Sequence, residues 1–258
     1  MKTIIIVPTY NEKENIRELV PAIFAILPDV SVMVVDDNSP DGTGEEVRKL
    51  QGKYPSLELL SRRKKDGLGE AYIAAFKKVI YSGRYEKVIM MDGDFSHDPK
   101  YLPEMIRHGK YFPVVVGSRY VKGGATVGWE FRRRLLSRFG NLYARYVTNL
   151  PVKDLTGGFN CIDMEFLKKI DLERLSYFKG YAFIMSLKYF LWKKRAVFKE
   201  IPIVFKNRTE GKSKLSNHII AEGFIAPWLL LFSLSRKKKN LRQEDLSAEI
   251  SALGDGSD

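Results

Sequence analysis

Short apolar runs alternate with longer stretches of helical spacing through the first half of the chain. The runs at 3–7, 31–35, 57–60, 87–91 and 114–116 have the length of buried strands. Between the first two, Ile16, Leu19, Val20, Ile23 and Ile26 recur at helical spacing, which predicts a helix over 11–27 closed by Pro28. Further helices are predicted through Val47 and Leu50, over 70–81 and over 99–108. Buried strands alternating with helices imply an α/β fold: a mostly parallel sheet covered on both faces. The second half is less regular. It reads as a long basic helix over 130–147, a loop at 155–160, a short helix over 163–170 and an aromatic-rich helix over 181–193. Short strands follow at 196–200 and 203–205.

Strand ends matter because ligands in such sheets bind beyond the carboxyl ends of the strands. The second run stops at Asp36-Asp37 and the fourth at Asp92-Gly93-Asp94, so both acidic clusters fall on one edge. Two acids in a turn can approach one cation, and hard oxygen ligands favour Mg²⁺ or Mn²⁺ with substrate phosphates. Gly93 would let the backbone approach a ligand. The bland alternative is a solvated turn. Gly67-Leu68-Gly69 at a helix start is either an anion cradle or an ordinary turn.

Charge sharpens this picture. The 258 residues carry 43 Lys+Arg against 31 Asp+Glu, a formal net charge of +12. Such an excess points to a polyanionic partner: nucleic acid, an anionic membrane surface or a phosphorylated substrate. Candidate cations are Arg119, Arg132–Arg134 and a Gly-hinged loop over 206–214 that could close over phosphates. Acids at the ligand edge disfavour a nucleic-acid backbone as partner. No P-loop, GxGxxG, HExxH or GxSxG motif occurs. His97, His108 and His218 form no recognisable metal cluster. The single cysteine, Cys161, allows no internal disulfide and reads as a packing residue.

The segment 218–235 is apolar but interrupted by Glu222 and Pro227, and it abuts Arg236-Lys237-Lys238-Lys239. It is too short to span a bilayer, which needs about 20 residues. It suits an interfacial anchor on an anionic leaflet; the alternative is a core helix with a charged end. The polar stretch beyond Asn240 is expected to be a disordered tail. The apolar run at the N-terminus is too short for a signal-peptide core.

Taken together, Val7-Pro8-Thr9-Tyr10-Asn11-Glu12 and Val35-Asp36-Asp37-Asn38-Ser39-Pro40-Asp41-Gly42-Thr43 resemble the opening signatures of inverting family 2 glycosyltransferases of GT-A fold. More narrowly, several stretches resemble polyprenyl-phosphate (dolichyl-phosphate) mannosyltransferases. They include Gly67–Tyr72, Met91–Pro99, Gly117–Tyr120, Gly128-Trp129, Asp154–Phe159 and Arg208–Leu215. The resemblance covers roughly residues 2–235.

The resemblance implies transfer of mannose from GDP-mannose to a polyprenyl phosphate with inversion. A UDP-sugar-dependent enzyme on the same lipid is the alternative. Pro8, Tyr10, Glu12, Asp36 and Asp37 would hold the nucleoside. Asp92, Gly93 and Asp94 would face the donor diphosphate, with Asp92, Asp94 and Ser96 around Mg²⁺ or Mn²⁺. Arg119, Arg133 and Ser137 would hold the acceptor phosphate. Arg208 and Lys214 would close over the phosphates. Asp94 and Arg119 are the residues expected to carry catalysis. The implied organisation is a catalytic domain over 1–214, a membrane-interface segment over 215–235 and a tail over 236–258. The implied location is the cytoplasmic face of a membrane, reached peripherally or through small membrane-anchoring subunits.

Overall fold

The computed structural model describes residues 1–206 and 225–232. The loop bearing Arg208 and Lys214, most of the expected interface segment and the tail lie outside the described residues. Seven strands form the main sheet: β1 (Thr3–Thr9), β2 (Ser31–Asp36), β3 (Leu57–Ser61), β4 (Lys87–Met90), β5 (Val114–Ser118), β7 (Asn160–Asp163) and β8 (Phe198–Pro202). Their order is β3-β2-β1-β4-β7-β5-β8. All neighbours pair in parallel except β7, which runs antiparallel to both β4 and β5. A second, two-stranded parallel pair joins β6 (Ala125–Val127) to β9 (Val204–Lys206).

Alternation along the strands divides the core. Ile4, Ile6, Met33, Val35, Val88 and Met90 face one layer, built with α3 (Leu68–Ser82) and α8 (Gly180–Lys193). Ile5, Val7, Val32, Val34, Ile89 and Met91 face the other. That layer is covered by α1 (Lys13–Ile26), α2 (Thr43–Gln51) and α4 (Leu102–Gly109). The inner parallel strands β1, β2, β4 and β5 are thus buried on both faces, which is why their runs read as continuous rather than alternating, while the edge strands β3 and β8 are only partly covered.

The strand β7 differs from the sequence expectation, which gave a loop to Asn160 and a helix from Asp163. Four residues with two apolar positions carry no periodic signal. The strand exists because β4 and β5 each lend it a ladder: Ile89 faces Cys161 on one side and Val115 faces it on the other. Cys161 is buried there, and burial pushes its thiol up to about 12, so it is an inert packing group. The expected helix over 163–170 is confined to α6 (Met164–Leu167), and the small strand β6 and the short helix α7 (Leu172–Ser176) were not anticipated.

The long helix α5 (Phe131–Thr148) agrees with its expectation in position and in basic character. Its buried residues are Asn141, Ala144 and Thr148. Phe131, Leu135, Phe139, Leu142 and Tyr146, spaced by three or four, are exposed; Tyr146 is 88% exposed. The helix therefore turns its apolar stripe outward. Residues 225–232 are helical. Ala226 and Leu230 enter the core there, while Ile225, Trp228, Leu229 and Phe232 face out. The Trp228 indole donates to the Tyr143 hydroxyl of α5 at 2.7 Å, so the two outward apolar surfaces adjoin.

Candidate active site

The carboxyl ends of β1, β2, β4 and β5 share one edge, at the point where the strand order reverses between β1 and β4. Three non-glycine residues with positive φ lie in the loops leaving β1, β2 and β4: Asn11, Asn38 and Phe95, each at 59°. For Phe, this conformation is a genuine outlier and marks an over-determined loop.

On the β1–β2 side, Asp36 accepts from the Ser39 backbone N–H at 3.2 Å and from the Ser39 hydroxyl. Asp36 thus shapes the turn. Its neighbour Asp37 pairs with Arg62 at 2.7 Å. Burial pushes the Asp37 carboxyl up, and Arg62 pulls it back only in part. Tyr10 is capped by the Lys65 ammonium, 3.9 Å from its ring centre. Pro8 lies within β1, and the Glu12 backbone N–H donates to the Thr43 hydroxyl at 3.1 Å. Arg62 and Lys65 carried no sequence signal beyond a basic stretch.

On the β4 side, Asp94 is 5% exposed, and its Oδ1 accepts the Ser96 N–H at 3.0 Å. The Asp92 N–H donates to His97 Nδ1 at 3.0 Å, so that nitrogen is the unprotonated one. His97 stacks on Phe159, with ring centres 4.8 Å apart. It acts as a brace for the Asp92 turn. Gly93 has a packing reason as well: a Cβ there would meet Thr9 Cγ2 at 3.1 Å. Gly69 is explained the same way, since a Cβ would collide with Phe183 at 2.8 Å. Among the described residues, no group of three or more His, Cys, Asp or Glu could hold a metal. The two carboxylates Asp92 and Asp94 fit a divalent ion that completes its shell with water and substrate oxygens.

On the β5 side, Arg119 is not a solvent-exposed cation. Its side chain forms a fork with Asp154, Nε to Oδ2 and Nη2 to Oδ1, both at 2.7 Å. Nη2 also reaches the Thr156 hydroxyl at 2.9 Å. Burial alone would raise the Asp154 carboxyl, but Arg119 and Lys188 outweigh it and hold it at about 2. Asp154 further accepts the Arg119 and Gly157 backbone N–H groups. The loop continues to the metal-binding candidates: a Cβ on Gly158 would lie 3.5 Å from Asp92 Oδ1. From α5, Ser137 bonds the Tyr120 hydroxyl at 2.6 Å, and Asn141 accepts the Leu155 N–H at 2.8 Å. Arg133 lies over the Trp129 ring at 4.1 Å.

The fold agrees with comparisons to known proteins. The Glycosyl transferase family 2 signature matches residues 4–171. The chain belongs to glycosyltransferase family 2. It is 36% identical to the undecaprenyl-phosphate mannosyltransferase of Micrococcus luteus, over 87% of this chain and 92% of that protein. It is also 36% identical to the polyprenol monophosphomannose synthase of Mycolicibacterium smegmatis, over 93% and 92%. Among solved structures it is similar to glucosyl-3-phosphoglycerate synthase from Mycobacterium tuberculosis bound to Mn²⁺, UDP and glucosyl-3-phosphoglycerate. The TM-score is 0.63 at 16% identity, over 88% of this chain and 78% of that one. That likeness places the main sheet in the GT-A fold.

The family 2 glycosyltransferase thus gathers most of its expected site residues at one edge. Pro8, Tyr10, Glu12, Asp36 and Asp37 flank β1 and β2, and Asp92, Gly93, Asp94 and Ser96 follow β4. Arg119 follows β5, while Arg133 and Ser137 come from α5. Arg208 and Lys214 lie outside the described residues. The sequence reading missed Lys188, a fully buried lysine in α8. Its ammonium donates to the carbonyls of Asp154 at 2.7 Å and Gly157 at 2.9 Å. Burial pulls it down to about 8, with Asp154 and Glu200 resisting. A lone Lys within Ile184–Leu191, otherwise apolar but for Ser186, was the available signal.

Lys188→Met removes both hydrogen bonds while keeping the length. The Asn160 side chain still serves the Gly157 carbonyl, so about one buried acceptor is orphaned, at a cost of about 1–3 kcal/mol. Because burial also makes the Lys188 ammonium costly at neutral pH, the deficit of the variant relative to wild type is expected to widen as pH rises from 8 toward 10; thermal unfolding in which the two melting temperatures keep a fixed spacing over that range would overturn this.

Proposed function

We propose that this glycosyltransferase moves mannose from GDP-mannose to a polyprenyl phosphate, inverting the anomeric centre and leaving a β-mannosyl phosphate lipid. The observation that carries the reading is the meeting, at one sheet edge, of an acidic turn, a buried Arg119–Asp154 pair and a helix that faces its apolar stripe outward. The names of the two relatives supply the sugar and the lipid class.

In this reading Pro8, Tyr10, Glu12, Asp36 and Asp37 receive the nucleoside. Asp92 and Asp94, with Ser96 beside them, hold Mg²⁺ or Mn²⁺, which would offset the charge of the departing diphosphate. Arg119, fixed by its fork to Asp154, orients the acceptor phosphate together with Arg133 and Ser137. The acceptor is already anionic, so its oxygen attacks without a protein base. Positioning and charge then do the catalytic work. Arg208 and Lys214 close over the phosphates. Residues 1–214 form the catalytic unit and 215–235 the interface segment, with the tail at 236–258. The enzyme works peripherally on the cytoplasmic face, alone or with small anchoring subunits.

Among the described residues no helix is long and apolar enough to cross a membrane. The lipid is reached instead through the stripe on α5 and the adjoining helical residues 225–232. Exposed Arg132, Arg134, Arg138 and Arg145 accompany the stripe, which suits an anionic bilayer surface. Phe139→Asp combined with Leu142→Asp is expected to abolish co-sedimentation with anionic vesicles while sparing transfer to a short, water-soluble polyprenyl phosphate. Undiminished sedimentation would remove the bilayer from this face.

The test of the function is transfer to polyprenyl phosphate from GDP-mannose and UDP-glucose in parallel, each with Mg²⁺, Mn²⁺ or EDTA. Metal-dependent transfer from GDP-mannose alone is expected. Transfer from UDP-glucose alone would keep the mechanism and change the donor.

A further inference from the structure

We propose that Trp129 is a direct ligand of the acceptor phosphate, its indole N–H donating to a phosphate oxygen held between Arg119 and Arg133. The inference rests on the acceptor reading above and adds a donor to it.

The first observation is an unmade hydrogen bond. Trp129 Nε1 is buried and has no partner. Buried polar groups nearly always find one, and a buried donor left without one is costly. The Trp228 indole shows the ordinary outcome, with its N–H on Tyr143. A donor kept buried and unpaired at the functional edge is what a site awaiting an acceptor atom looks like.

The second observation is the surroundings of the ring. The Arg133 guanidinium carbon lies 4.1 Å from the ring centre and that of Arg119 5.6 Å away. Phe205 meets the ring edge-on at 5.7 Å. One indole therefore gathers two guanidinium groups, and an anion bound between them would be held by both. Indole N–H is a donor only and does not titrate, so it serves an all-acceptor ligand such as a phosphate monoester over the whole working pH range. Cations already lie over the ring system, and the N–H lies in its plane, so the two kinds of contact do not compete.

Position in the chain favours the acceptor over the donor diphosphate. Trp129 immediately precedes Glu130, the cap of α5, and follows Gly128, whose φ of 79° turns the chain from β6 into that helix. It thus sits at the root of the helix that carries Arg133 and Ser137. Toward the Asp92 turn, the rings of Phe205 and His97 intervene, the latter pair 5.5 Å apart.

Two substitutions separate the roles of the ring. Trp129→Phe keeps a ring for Arg133 and removes the N–H; Trp129→Leu removes both. With the full chain, Trp129→Phe is expected to raise the KM for geranyl phosphate about tenfold, the scale of one hydrogen bond to a charged group. The KM for GDP-mannose should stay within about twofold of wild type. Trp129→Leu should raise the acceptor KM further, toward that of Arg133→Ala. A readout independent of turnover uses the ¹⁵N-labelled indoles of the wild-type chain, which has three tryptophans. The Trp129 signal, assigned by its loss in Trp129→Phe or by elimination with Trp192→Phe and Trp228→Phe, should shift downfield on titration with geranyl phosphate and not with GDP.

A shift that follows GDP would assign the N–H to the donor and overturn the proposal. So would an unmoved indole, or a wild-type acceptor KM in Trp129→Phe, while Arg133→Ala still loses acceptor. If the wild-type chain neither binds nor glycosylates geranyl phosphate and Arg133→Ala changes nothing, the acceptor reading fails and this inference falls with it.

Discussion

Replacing Asp94 by alanine is expected to lower sugar transfer by at least about a hundredfold while leaving the fold intact. Loss of a residue that merely supports a metal ligand already costs about 10–100-fold, and a direct ligand should cost more. Asp94 is buried at the end of β4, where its Oδ1 accepts the Ser96 N–H. Asp94→Asn keeps an acceptor for Ser96 and discards the charge, so it should fold like wild type and be nearly as inactive as the alanine variant. Steady-state transfer at saturating Mg²⁺, with calorimetric GDP binding in Mg²⁺ and in EDTA, checks both parts. Activity within tenfold of wild type, or GDP affinity still fully responsive to metal, would take Asp94 out of the metal site.

The features that sequence could supply were those set by local pattern. Uninterrupted runs such as Ile4–Val7 are buried on both faces of a parallel sheet, so they announced their strands. Because those strands run the same way, their acidic ends could be assigned to one edge before any geometry was known. What stayed hidden depends on partners distant in the chain. The strand at Asn160 exists because β4 and β5 leave a gap. The outward apolar face of α5 has the same periodicity as an inward one; only Asn141 and Thr148 on the opposite side reveal the inversion. Arg119 read as an available cation because its partner Asp154 lies 35 residues on. Lys188 lies 34 residues beyond the loop carbonyl it serves. Gly69 and Gly93 also have packing reasons that depend on distant partners: a Cβ on Gly69 would collide with Phe183, and one on Gly93 would crowd Thr9.

Asp154→Ala should strike stability as hard as Asp94→Ala strikes catalysis. The carboxylate is fully buried and accepts from the Arg119 side chain at two atoms and from two backbone N–H groups. Its removal takes the principal counter-charge from Arg119, a residue only 7% exposed in the intact protein whose guanidinium lies among the Tyr120, Trp129 and Phe205 rings. Breaking a buried pair from one side costs about 3–5 kcal/mol, a fall in melting temperature of roughly 6–20 °C for a chain of this size.

The pH dependence follows with a definite sign. The folded carboxyl at about 2 lies below the ordinary 3.8. It therefore contributes stability that is complete above pH 3.8 and is lost as pH falls toward 2, on the order of 2 kcal/mol. That acid-labile component should vanish in the variant. Lys188 carries the opposite sign: its folded value near 8 lies below 10.5. It costs stability at neutral pH, and that cost is relieved as pH rises from 8 through 10.5. Asp154→Leu combined with Arg119→Met separates the two functions of the pair, because well-packed apolar replacements of a buried ion pair are often neutral or stabilising. Guanidinium unfolding should show the double variant recovering most of the stability lost in Asp154→Ala, with no recovery of transfer. A double variant that folds and still transfers mannose would reduce Arg119 to scaffolding. One that folds and does not would locate its charge in the handling of the acceptor phosphate.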